Sequence, residues 1–85
     1  MEQEASPAER VLFTYMTEHL GYTDKVRFYY ALKGRDGKGG IVVDAHVEQL
    51  GKTVLLVPKE HAQSVEEFLK FWKCAYARRR VVLYA

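Results

Sequence analysis

The chain has 85 residues, 48% of them apolar, only two prolines and a formal net charge of +2. That composition belongs to a small folded domain rather than a disordered tail, and a domain this size has a large surface for its interior. A single cysteine, Cys74, excludes an intrachain disulfide and argues against a cysteine-based zinc site, and no apolar run approaches the roughly 20 residues that cross a bilayer.

The acidic opening MEQEASPAE has neither the basic nor the apolar region of a signal peptide, so a soluble, cytoplasmic protein with no membrane partner is expected. Residues 1–5 read as a flexible N-terminus and residues 6–85 as one α+β domain. Ser6, Pro7 and Glu9 resemble a helix start, in which serine caps an orphan amide, proline fills the first turn and glutamate reaches back. Ala8, Val11, Leu12, Tyr15, Met16 and Leu20 recur at helical spacing, and Gly21 is placed to end the helix.

Residues 25–33, KVRFYYALK, alternate as a strand would. Val26, Phe28, Tyr30 and Leu32 suit a core, and Lys25, Arg27, Tyr29, Ala31 and Lys33 fall on the other side. Residues 34–40, GRDGKGG, read as the mobile tip of a hairpin. They lack the spacing and the following Ser or Thr of a phosphate-binding loop, though Arg35 and Lys38 remain free to touch a nucleic-acid backbone. Ile41, Val43, Ala45 and Val47 alternate with Val42, Asp44, His46 and Glu48, which predicts a second half-buried strand. Asp44, His46 and Glu48 would share a face. His19 and His61 belong to other elements, so the trio reads as a solvated surface, and no metal, cofactor or catalytic activity is expected.

Residues 53–57 are apolar on both faces, which predicts a third strand lying centrally or beneath a second layer. Pro58 ends it. Ser64, Val65, Glu66 and Glu67 give another capping pattern, and Val65, Phe68, Leu69, Trp72, Ala75 and Tyr76 form one stripe, widened by Phe71, on a second helix that could begin nearer Lys59. Cys74 within that helix reads as an inert thiol. Arg78, Arg79 and Arg80 are expected at the helix end, where cations complement the dipole. Residues 81–85, VVLYA, predict a fourth strand with Arg80, Val82 and Tyr84 on one face. The expected fold is α+β: a small, mainly antiparallel sheet of three or four strands with two helices, in the order α-β-β-β-α-β.

Charge is uneven along the chain. Residues 25–38 hold five bases and one acid, residues 70–85 hold five bases and no acid, and the intervening stretches are acidic. Two basic blocks brought together would make a footprint for a polyanion. Cations neutralise phosphates and rings stack on unpaired bases, so the candidate nucleic-acid-binding residues are Lys25, Arg27, Tyr29, Lys33, Arg35, Lys38, Arg78, Arg79, Arg80 and Tyr84. Tyr30, by alternation, is expected in the core. The same residue types also suit the solvent side of a strand, and the fourth strand suits a sheet edge or a subunit interface. A homodimer or larger homo-oligomer is expected on that ground. The absence of asparagine fits a thermophilic source.

With a helix, a basic-aromatic hairpin, further strands and an aromatic helix in this order, residues 6–85 resemble the ThermoDBP-related proteins of archaea, small single-stranded DNA-binding proteins without an OB fold. The resemblance implies four antiparallel strands and flanking helices around a cleft with apolar lining and basic surroundings. It would place Lys25, Arg27, Tyr29 and Tyr84 in that cleft and Arg78, Arg79 and Arg80 at its edge. Residues 53–71, TVLLVPKEHAQSVEEFLKF, are similar to the last strand and the start of the final helix in the Alu-binding subunits of the signal recognition particle, which have an α-β-β-β-α fold and bind structured RNA. The function expected is non-enzymatic binding of single-stranded DNA with little sequence specificity. The alternatives are an RNA-binding ribonucleoprotein subunit and a protein-interaction subunit that binds no nucleic acid.

Overall fold

The computed structural model describes residues 8–83, so the Ser6 cap, the flexible start expected over residues 1–5, and Tyr84 lie outside the described residues. The chain runs β1 (Ala8–Tyr15), α1 (Tyr22–Lys33), α2 (Gly40–Asp44), β2 (Glu48–Gly51), β3 (Val54–Pro58), α3 (Ala62–Phe71) and β4 (Tyr76–Leu83), with a 3-10 turn, Lys59–His61, leading into α3. The strands form one antiparallel sheet in the order β2-β3-β1-β4. The class is the α+β expected, but three helices are described rather than two, and the order β-α-α-β-β-α-β replaces α-β-β-β-α-β.

Residues 8–15, expected as helix, are a strand. Phe13 lies off the helical stripe of Ala8, Val11, Leu12 and Tyr15, and on a helix it would face water. On a strand Val11, Phe13 and Tyr15 share one face, and all three are buried. Val, Phe, Thr and Tyr also suit pleated structure, and β1 is a central strand, paired with β3 on one side and β4 on the other.

Residues 25–33 depart in the opposite sense, forming most of α1 instead of a strand. Phe28 and Leu32 are fully buried, which either period allows, but Tyr30 between them is 44% exposed, which only the helical period allows. No glycine or proline interrupts residues 22–33, and Asp24 in the first turn and Lys33 in the last complement the dipole. The glycine-rich segment is not a hairpin tip; it folds α2 back onto the end of α1. Gly40 has φ 71°, and a Cβ there would meet the Ala31 carbonyl oxygen at 2.6 Å, so only glycine allows this approach. Residues 41–48 form no single strand. α2 gives way at His46, whose φ of 53° turns the chain into β2, so Asp44, His46 and Glu48 fall on a helix, a turn and a strand.

β3 occupies the central position expected of it. α3 carries the first part of the expected stripe, with Val65 and Leu69 buried beside Ala62, but it starts earlier and stops sooner, leaving Ala75 outside the helix and Tyr76 on β4. Lys73 adopts φ 57° and the Cys74 amide donates to the Leu69 carbonyl at 3.0 Å, after which the chain pairs with β1 over eight residues. That ladder outweighs one more turn of helix. Arg78, Arg79 and Arg80 therefore lie within β4, not at a helix end, and Phe71 is 78% exposed rather than part of the core.

Val11, Phe13, Tyr15, Leu55 and Val57 from one sheet face meet Phe28 and Leu32 of α1 and Val65 and Leu69 of α3. Phe28 is the hub, with ring centroids 5.4–5.7 Å from those of Tyr15, Tyr29, Phe68 and Trp72. Full burial of side chains of this size stabilises by roughly 1.5–3 kcal/mol each. The alternating positions Leu12, Thr14, Val54 and Leu56 point to the other face, outside this core.

Candidate nucleic-acid interface

Lys25, Tyr29 and Lys33 are four residues apart on α1 and so lie along one side of the helix. Tyr29 and Lys33 line a groove of about 500 Å³, completed by Gln49, Leu50, Gly51 and Lys52 from β2 and the turn after it. Among the described residues, no acidic side chain belongs to that lining. Phe28 meets the Tyr29 ring edge-on, with centroids 5.4 Å apart and planes at 76°. Lys33 Nζ lies 5.6 Å from the Tyr29 centroid, within cation–π range. Tyr29 is thus half-buried against the core while contributing its ring to the groove. The far wall is fixed from below: the buried Tyr15 hydroxyl donates to the Lys52 carbonyl at 3.2 Å. Burial, with smaller contributions from Tyr29 and Cys74, pushes that hydroxyl up to about 12, so it remains a donor at neutral pH.

The other cations near α1 stand outside this lining. Arg27 is two positions from Lys25 and leaves the helix on a different side. The Arg35 guanidinium lies 5.1 Å from the centroid of Tyr30, and the Lys38 amide donates to Asp36 Oδ1 at 2.9 Å within the inter-helix turn. Tyr30, expected in the core, is instead a surface ring beside an arginine.

On β4, alternation divides the arginines. Arg78 and Arg80 face the helix side and Arg79 the other. Arg78 donates to Glu66 Oε1, and the Tyr76 hydroxyl donates to Glu66 Oε2. The Tyr76 hydrogen bond, aided by the Arg78 cation, holds the Glu66 carboxyl below its usual range, and the same bond raises Tyr76. Arg78 and Arg80 line a smaller recess, about 200 Å³, with Glu9, Arg10, Val11 and Lys59. Lys59 lies 3.6 Å from Glu9. β2 and β4 are opposite edges of the sheet, three strand spacings or about 14 Å apart. The two basic blocks therefore form separate surfaces, not one footprint.

Sequence reasoning missed Lys52, whose place in the groove depends on β2 forming the sheet edge beside α1; a lone base in a short turn gives no signal of that. Elsewhere, burial pushes the Cys74 thiol up, the opposite of what an activated nucleophile needs. The His46 and His61 rings lie 5.2 Å apart, but no group of three potential metal ligands occurs among the described residues. No helix among them is long and apolar enough to cross a membrane. No protein-family model, curated protein or solved structure matches the chain.

Proposed function

We propose that this chain is a non-enzymatic nucleic-acid-binding protein that holds single-stranded DNA, with little sequence preference, in the groove between α1 and β2. One observation carries the reading: among the described residues the groove combines a ring, two lysines and no acid in its lining. An unpaired base stacks on Tyr29, displacing the Lys33 ammonium from the ring toward a phosphate, and Lys52 holds the strand from the far wall. Lys25 extends the track. Eight residues separate it from Lys33, about 12 Å along the helix, room for more than one phosphate. Sequence tolerance follows because every base has a face to stack. Arg78 and Arg80 are secondary, since acids already engage their neighbourhood. The element order that carried the resemblance to the ThermoDBP-related proteins is not the order of this fold, so the proposal stands on the groove, and the asparagine-free composition extends it to a thermophilic source.

The test is a titration of single-stranded DNA, duplex DNA and RNA of one sequence across a salt series. The expected outcome is preference for the single DNA strand, with log affinity falling against log salt by about 0.7 per phosphate neutralised. Tighter binding to RNA would move the assignment to a ribonucleoprotein subunit. Absence of salt-dependent binding to all three would reject it.

A further inference from the structure

Strand register fixes a row of four side chains on the sheet face turned away from α1 and α3: Glu48 on β2, Leu56 on β3, Leu12 on β1 and Arg79 on β4. Two leucines lie between an acid at one edge and a base at the other. The rows on either side add Pro58, Arg10 and Val81, and Val54, Thr14 and Ala77. This face has no aromatic residue at the described positions, so it offers nothing for a base to stack on. It has an apolar centre instead, in which Leu12 is half-buried and Leu56 is only 8% exposed. β3 is apolar on both faces although α1 and α3 cover only one of them, the pattern of a strand that lies between two layers.

We propose that the second layer is another copy of this chain, with the two sheets packed face to face about a two-fold axis parallel to the strands. Charge selects both the occupant and the axis. Glu48 and Arg79 are exposed, and neither has an ion-pair partner among the described residues. At about 14 Å across the sheet they cannot reach each other within one chain. A two-fold axis along the strands, between β3 and β1, reverses strand order in the second copy. Each Glu48 then meets the other copy's Arg79, and each Leu56 meets Leu12. An axis across the strands would set Glu48 on Glu48 and Arg79 on Arg79. The favoured axis also places Arg10 against Pro58 of the second copy.

The sequence had pointed to the last strand as the interface. β4 carries three consecutive arginines along its open edge, however, and charges of one sign blunt edge-to-edge pairing. Strands of eight, eight, five and four residues give the face a projected footprint of roughly 400 Å² per subunit at ordinary strand dimensions. Accessible area exceeds projected area, so the contact falls toward the lower end of specific interfaces, where charge complementarity sets the register. The α1–β2 groove lies on the helix side, so each dimer presents two grooves.

Sedimentation equilibrium on the full chain tests this, with Arg79→Glu, Glu48→Arg and the double reversal. Both positions are exposed, and thermal melts confirm that each variant folds. A dimer is expected. Each single reversal creates two like-charge contacts by symmetry and should raise the dissociation constant by about tenfold or more. The double reversal should return it to within about threefold of the parent, since it restores both opposite-charge contacts. A parent chain that remains monomeric at several hundred micromolar, roughly the limit of a weak specific dimer, overturns the proposal. So does a dimer indifferent to the single reversals, or one that the double reversal fails to restore. Single-strand binding by the groove is read separately and does not bear on these outcomes.

Discussion

At the β4 edge, cations meet acids: Arg78 donates to Glu66, and Lys59 lies 3.6 Å from Glu9. In the α1–β2 groove, Lys33 meets the Tyr29 ring, and among the described residues no acid pairs with Lys33 or joins Lys52 in the lining. The denser run of charge, ARRR, therefore lies where part of that charge already serves the fold, and the sparser set lies where it is unengaged. Charge density along a sequence does not rank binding sites. What ranks them is whether the fold has already neutralised the cations, because an engaged guanidinium must give up a partner before it binds a phosphate.

The largest effect expected separates the two regions through their support. Phe28→Ala removes the ring on which Tyr29 rests and should cost about 3–5 kcal/mol of stability in a thermal or denaturant melt. A loss below 1 kcal/mol would mean that the groove does not depend on this anchor. Next comes alkaline pH, which acts beneath the groove. Tyr15 has a folded pKa raised to about 12, above its unfolded value near 10, so its contribution is fully present below pH 10 and is lost as pH rises from 10 toward 12. The difference is about 2–3 kcal/mol, and Tyr15→Phe should flatten that limb of the stability curve.

Tyr29→Ala should weaken single-strand binding by about 1–3 kcal/mol. Because the ring is half-buried it should also lower the melting temperature, whereas Tyr29→Phe should preserve binding. Equal binding losses from Tyr29→Ala and Tyr30→Ala would erase the distinction between groove and outer helix face. The smallest effect belongs to the β4 edge. Glu66 has a lowered folded pKa, so its contribution is present above the ordinary carboxylate value and is lost as pH falls through the lowered one. Glu66→Gln should remove that acid limb from a pH series of melts while leaving nucleic-acid binding unchanged.

α3 and β3 were legible because their signals were redundant: a stripe through Val65, Phe68, Leu69 and Trp72, and an apolar run stopped by Pro58. α1 and β1 were exchanged because their buried residues fit both periods. Phe28 and Leu32 share a face at spacing four in a strand or a helix, and Ala8, Val11, Leu12 and Tyr15 imitate a helical stripe while Phe13 alone contradicts it. α2 was hidden by three consecutive β-branched residues, whose placement depends on the close approach of Gly40 to α1, a tertiary fact. The same ambiguity spared part of the candidate site. Lys25, Tyr29 and Lys33 lie on one face under either period, whereas Arg27, two positions away, stays with them only on a strand. Lys52 depends on sheet order, which local pattern does not encode.

The central claim is that the groove, not the arginine run, takes the phosphates. The measurement that tests it most directly is the salt dependence of single-strand binding for Lys33→Ala/Lys52→Ala beside Arg78→Ala/Arg80→Ala. The groove pair should flatten the log–log slope by about 1.4, two phosphates at about 0.7 each, with melting little changed. The β4 pair should keep the parent slope even though it loses the Arg78 contact to Glu66. A flattened slope in the β4 pair with the parent slope kept in the groove pair would contradict the account and move the phosphate track to the opposite edge of the sheet.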